Sequence, residues 1–333
     1  MTSLRSLALL LPTARPTNPD EVAAAPRWRG VCELPDGAPA DMAIRAGAAA
    51  LAASGIAAAE VQWLLHAGSS FQGSTGWPVH HRIQDGILGP HGNALELKQY
   101  CSGGLTSWMI AGSLLSDEND AAICTGADNW SWTDRFMTSR FHGGEPFSDV
   151  AHAAVLTARG GFATILGTGT ASCPGQADSW KTRDAFWETT TVDDYRNAFS
   201  RAAAACTAES ARDSSSMVAH AVATALASAR ISPQYVTHFV PHGSGSGEPY
   251  RTLAKALELP WSESLYDHGL EHGYLAVSTQ TAGLMHLAEA GSLRADSIVL
   301  LLATEYQLSA TAMVLRIVRK PAFAIDGAVR MAA

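Results

Sequence analysis

The sequence predicts a duplicated α/β protein of five layers, α/β/α/β/α, built from two halves related by a pseudo-twofold axis. Three observations lead there. Part of the chain repeats internally. Ala/Leu-rich helical segments alternate with short apolar runs, and parallel strands require such crossovers. The chain is also long and apolar enough to cover two sheets, with 333 residues that are 47% hydrophobic and only 16% charged. A mean hydropathy of +0.03 excludes a disordered chain.

The repeat is read from spacing. Ile56 and Val61 recur as Ile231 and Val236, and Leu51, Gly68 and Ser69 recur as Leu226, Gly243 and Ser244, all at an offset of 175. Ala111-Gly112-Ser113-Leu114 recurs as Ala290-Gly291-Ser292-Leu293 at an offset of 179. In chain order, the apolar stretch within residues 1–12 is too short for a signal-peptide core and reads as a first strand. A helix is expected over 41–54 and leads into a buried strand that begins at Val61. A strand over 94–100, a helix over 103–115 and a strand over 121–126 follow. The polar stretch 174–216 is the junction, and Trp180, Phe186, Trp187 and Tyr195 argue that it packs. The second half repeats the order: a helix over 217–230, an apolar run from Val236 to Val240, a helix over 281–290 and a strand over 297–303. The expected division is 1–172, which carries a nucleophilic cysteine, and 173–333, which carries a catalytic histidine.

Charge narrows the partners. The formal net charge is −8, and no Lys/Arg run exists to displace counterions or to hold an anionic bilayer. Neither nucleic acid nor membrane is expected. Five cysteines without a C-x-x-C pair argue against a disulfide framework or a zinc ribbon, and for a reducing cytoplasm. His268 and His272 beside Asp267, and His80, His81 and His91, have spacings that arise by chance among 12 histidines. No metal is expected.

Two positions carry chemistry. Cys101, in Tyr100-Cys101-Ser102-Gly103-Gly104, falls between a strand and an uncharged helix. The free N–H groups and dipole of the helix favour a thiolate there. His242, in Val240-Pro241-His242-Gly243-Ser244, falls at the C-terminal end of the second-half strand, where open α/β sheets form their sites. A histidine is the usual base for a thiol nucleophile. Asn129-Trp130-Ser131-Trp132 offers aromatic rings for a pocket or for the core.

These residues resemble the β-ketoacyl-carrier-protein synthase III branch of the thiolase superfamily over nearly the whole chain. Leu11-Pro12 with Thr17-Asn18-Pro19-Asp20-Glu21 is similar to its opening segment, and Cys101-Ser102-Gly103-Gly104 to its nucleophile turn. Phe147-Ser148-Asp149-Val150-Ala151 is similar to its FGDGA strand lead, and Val240-Pro241-His242 to the start of its VPHQAN segment. The resemblance implies the thiolase fold, a homodimer, and ping-pong acyl transfer through Cys101 from a coenzyme A or phosphopantetheine carrier thioester. His242 would act as base, and the Cys101 N–H would serve in the oxyanion hole. Trp28 is the candidate for stacking on adenine.

The chain also departs from that pattern. Tyr274 stands where the family places an Asn that acts with His on the malonyl enolate, and Thr279 stands where acyltransferase relatives place an Asp. Thr304-Glu305-Tyr306-Gln307 replaces a glycine-rich loop. The expected function is therefore acyl transfer to a small-molecule or carrier-bound acceptor in specialised, polyketide-type metabolism. Tyr274, Thr279, His272 and Gln307 are expected in support. Decarboxylative condensation of a starter unit is the alternative enzyme, and a non-catalytic binding subunit is the third reading.

Overall fold

The computed structural model describes residues 2–74, 76–117, 120–137, 145–181, 191–205, 207–243, 245, 247–305, 308–327 and 329–333. The strands are β1 (Ser3–Leu10), β2 (Ala14–Pro16), β3 (Gly30–Cys32), β4 (Val61–Ala67), β5 (Asn93–Leu97), β6 (Ala121–Asp128), β7 (Val150–Thr157), β8 (Ala163–Ser172), β9 (His238–Val240), β10 (Ile298–Glu305), β11 (Ser309–Ile317), β12 (Phe323–Asp326) and β13 (Val329–Ala332). The helices are α1 (Pro19–Ala24), α2 (Pro39–Ser54), α3 (Val79–Leu88), α4 (Gly103–Leu114), α5 (Val192–Ala204), α6 (Ala208–Ala229), α7 (Glu248–Ala256), α8 (Glu263–His272) and α9 (Thr279–Glu289).

Pairing repeats across the molecule. The first half runs β5-β4-β6-β7-β1 and the second β9-β10-β11-β8. β4 and β6 are parallel, as are β9 and β10. The next two pairings in each half are antiparallel. The two half-sheets join where Ser3 and Leu4 of β1 pair with Thr164 and Ala163 of β8. This is the duplicated α/β architecture that the repeat predicted.

The layers follow from strand alternation. Val299 and Leu301 of β10 face a core shared with Leu105 and Trp108 of α4 and with Leu284, Met285 and Leu287 of α9. Leu300 and Leu302 turn the other way, onto Met217, Val222 and Leu226 of α6. In the first half Leu64 and Ile123 pack on Met42, Ala46 and Ala50 of α2, with Ile83 of α3. Thus α4 and α9 form the middle layer, which explains why α4 carries no charge and is largely buried. The middle layer closes tightly at Gly104, where an added Cβ would lie 2.2 Å from the Val277 carbonyl oxygen. Only glycine lets the two halves meet so near Cys101.

Three expectations are corrected in detail. The helix expected over 217–230 begins at Ala208, because the Thr207 side chain accepts the Ser210 N–H and caps it through a polar first turn. The strand expected to reach residue 100 ends at Leu97, and Tyr100–Ser102 forms a 3₁₀ turn instead. β8 falls on the first-half side of the 172/173 division, yet it pairs with β11 along most of its length. Within the junction the structure gives a 3₁₀ segment, Pro174–Trp180, and α5. Phe186 and Trp187 lie outside the described residues.

Candidate active site

Cys101 occupies the turn that feeds α4. Its neighbour Tyr100 has φ of 41°, a left-handed conformation that side chains avoid, so the turn is strained where the thiol is presented. The thiol is buried. It receives the Ser69 hydroxyl at 3.3 Å, and Tyr274 packs against the side-chain cluster that holds it. Burial pushes its pKa up to about 12, against the lowering effect of Ser69 and Tyr274. The resting group is therefore a thiol.

Tyr274 follows Gly273, whose φ of 71° turns the chain out of α8 toward the thiol. Its hydroxyl lies 2.6 Å from His242 Nε2. Tyr274 thus stands between His242, to which it is hydrogen-bonded, and the cluster that holds the Cys101 thiol. Desolvation raises the Tyr274 pKa well above its usual value and lowers that of His242 to about 3. The imidazole is neutral at physiological pH, and its Nδ1 is buried without a partner among the described residues. Tyr250, which the sequence reading missed, packs edge-on against His242 with ring centroids 6.3 Å apart.

The loop after β4 holds Ser69, and Asp128 at the end of β6 pins that loop. Its buried Oδ1 accepts the Ser69 and Ser70 N–H groups, both at 2.6 Å, while Oδ2 accepts the Val277 N–H at 3.3 Å. Burial raises its pKa to about 6 although these donors oppose the shift. One carboxylate therefore ties the Ser69 loop to the segment that follows Tyr274. Deeper still, Arg135 makes a two-armed pair with Asp149 at 2.7 and 2.6 Å, and Asp149 also accepts the Trp130 and Leu34 N–H groups.

Aromatic side chains surround the thiol. Trp130 stacks on Phe147 with ring centroids 4.1 Å apart and joins Cys101, Met137 and Ala276 in one cluster, with Trp132 and Tyr274 against it. A cavity of about 580 Å³ opens nearby, lined among others by Ser69, Phe71, Trp77, Tyr100 and Trp180. Glu305 ends β10, where Gln99 Nε2 and Ser309 Oγ both bond its Oε2 at 3.4 and 2.9 Å. Its carboxyl pKa is raised, chiefly by desolvation.

The remaining expected site residues lie elsewhere. Thr279 Oγ1 donates to the Ala276 carbonyl at 3.0 Å and is used in the turn that starts α9. His272 does not reach the thiol: its ring stacks on His268 at 4.2 Å, and Nδ1 donates to the His268 carbonyl. Gln307 lies outside the described residues. Trp28 is buried among Ala25, Phe136 and Leu270, so it offers no open face to an adenine. Among the described residues no cluster of three or more His, Cys, Asp or Glu side chains suits a metal ion, and no helix is long and apolar enough to cross a membrane.

No family model and no curated protein matches the sequence. Solved structures do match in three dimensions. The acyltransferase ChlB3 superposes with a TM-score of 0.85 at 22% identity, over 96% of this chain and 98% of that one. The 3-oxoacyl-(acyl carrier protein) synthase III FabH of Pseudomonas aeruginosa PAO1 gives 0.73 at 21% identity, over 96% and 99%. A variant of Xanthomonas campestris OleA with bound lauric acid and lauroyl-CoA gives 0.71 at 12%, over 95% and 98%. At these identities the likeness establishes the fold.

Proposed function

We propose that the chain is a cysteine-dependent acyltransferase that takes an acyl group from a coenzyme A or carrier-protein thioester onto Cys101 and passes it to a hydroxyl, amine or carrier-bound acceptor. The observation that carries this reading is the hydrogen bond between the Tyr274 hydroxyl and a neutral His242, with the phenol packed on the cluster that holds the Cys101 thiol. As sulfur attacks the thioester carbonyl, its proton passes to Tyr274 and the tyrosine proton to His242 Nε2. The carbonyl becomes an oxyanion facing the N-terminus of α4, where the Cys101 N–H is available. Collapse expels the donor thiolate, which takes the proton back from His242, and leaves acyl-Cys101. The acceptor then repeats the sequence in reverse roles: its proton passes to the base and the C–S electron pair returns to sulfur.

Tyr274 favours transfer over condensation. A buried phenol already bonded to His242 stands in sequence where the resembling family has the amide donor for a malonyl enolate, and it lacks that amide. Fold neighbours known to be an acyltransferase and a 3-oxoacyl synthase support the donor class. We place the protein in the cytoplasm, in specialised metabolism, as a homodimer; the exposed Leu95 on edge strand β5 supports pairing of two copies there.

The test is a burst assay. An acyl thioester should release about one equivalent of donor thiol per chain before steady turnover. A malonyl thioester should yield no carbon dioxide. Carbon dioxide release that accompanies the burst would replace transfer with condensation.

A further inference from the structure

The duplication brings a second, unexpected residue to the sulfur. At the offset of 175, Ala67-Gly68-Ser69 falls on His242-Gly243-Ser244. The two segments leave the C-terminal ends of β4 and β9, strands that hold corresponding places in the two half-sheets. The second-half loop delivers His242, which Tyr274 links to the cluster that holds the thiol. Its first-half counterpart delivers the Ser69 hydroxyl to Cys101 Sγ directly, at 3.3 Å. Ser69 is 4% exposed, and its N–H and that of Ser70 are both fixed on Asp128. The hydroxyl is thus aimed before any substrate arrives, and little further ordering is needed during the reaction.

We propose that Ser69 is a catalytic residue that donates its hydroxyl hydrogen bond to Cys101 Sγ whenever the sulfur carries negative charge, and that Asp128 positions it. This rests on the acyl-transfer reading for its place in turnover. In that reading the sulfur gains charge twice: when its proton leaves for Tyr274, and when the acyl carbon departs and the C–S electron pair falls back on sulfur. Ser69 keeps its own proton throughout. A sulfur this deeply buried has little water to solvate its charge, so each donor aimed at it matters more than it would at the surface. Among the described residues Ser69 hydrogen-bonds the sulfur from the first half, while Tyr274 of the second half packs on the cluster that holds it.

The experiment uses the thiol itself, with iodoacetamide as the probe. The rate of alkylation is followed on the Cys101 peptide by mass, between about pH 7 and 10, where the thiolate is the minor reacting form. Ser69→Ala is expected to slow alkylation about tenfold at each pH, as one unit of added thiol pKa requires. Ser69→Thr, which keeps a hydroxyl, should stay close to the parent. Equal rates in the parent and Ser69→Ala overturn the proposal, and so does Ser69→Thr being as slow as Ser69→Ala, which would make the effect one of packing. Asp128→Asn should slow the parent but add less in the Ser69→Ala background. An equal factor in both backgrounds would remove Asp128 from the proposal. Alkylation needs no acyl donor, so a parent protein that is never acylated would sink the transfer reading while Ser69 is still judged on its own.

Discussion

Tyr274→Phe slows acylation of Cys101 by about 10²-fold or more, His242→Ala slows it by a similar factor, and the double variant is little slower than either. The expectation comes from the order of atoms. Nε2 of His242 is occupied by the Tyr274 hydroxyl at 2.6 Å, and Tyr274 in turn packs on the cluster that holds the sulfur. If the base acts only through the phenol, removing either link breaks one chain, and two breaks in a chain cost no more than one. Removing the hydroxyl also takes away one of two groups that lower the pKa of the buried thiol, so Tyr274→Phe should further raise a pKa already near 12. Acylation below that pKa then falls in proportion to the thiolate available. Stopped-flow detection of the released donor thiol in the four proteins measures the cycle. Multiplying factors would mean that His242 reaches the sulfur or the substrate by a route of its own.

Asp149→Ala destabilises the fold by about 3 to 5 kcal/mol, because it takes from a buried Arg135 its two shortest contacts and leaves only the Glu33 carboxylate and the Phe147 carbonyl, each at 3.4 Å. Asp149 is 0% exposed and satisfies both arms of the guanidinium together with the Trp130 and Leu34 N–H groups. Its loss therefore leaves a charge poorly paired and two amides unpaired in the layer that carries the aromatic cluster around Cys101. By contrast, Asp267→Ala removes an Arg29 pair whose side chains are 50% and 56% exposed, and should change stability by no more than about 1 kcal/mol. Urea midpoints of both variants against the parent check the contrast. Near-equal shifts would show that the Asp149 network is solvated or replaceable.

The architecture was legible because duplication leaves two readings of each element. Val61 and Val236 mark corresponding strands, and an uncharged run such as α4 has no stable place except between two sheets. Cys101 and His242 were singled out in the sequence by their places at strand ends. Ser69 was in view as part of the repeat, but its side chain is so ordinary in a loop that only the 3.3 Å contact makes it chemical. Asp128 carries no signal in the sequence, and its part comes from the loops folded over it. His272 misled through adjacency: two residues from Tyr274 in sequence, it lies on the other side of the Gly273 turn, stacked on His268. Sequence distance says little about direction where φ turns positive.

The most direct measurement of the central claim is the intact mass of the protein after incubation with a panel of acetyl, longer acyl and aromatic thioesters, beside Cys101→Ala under the same conditions. The account predicts a mass gain equal to one acyl group with at least one donor in the parent, located on the Cys101 peptide and absent from the variant. An adduct that persists in Cys101→Ala, or turnover of a donor by the variant at the parental rate, would contradict it.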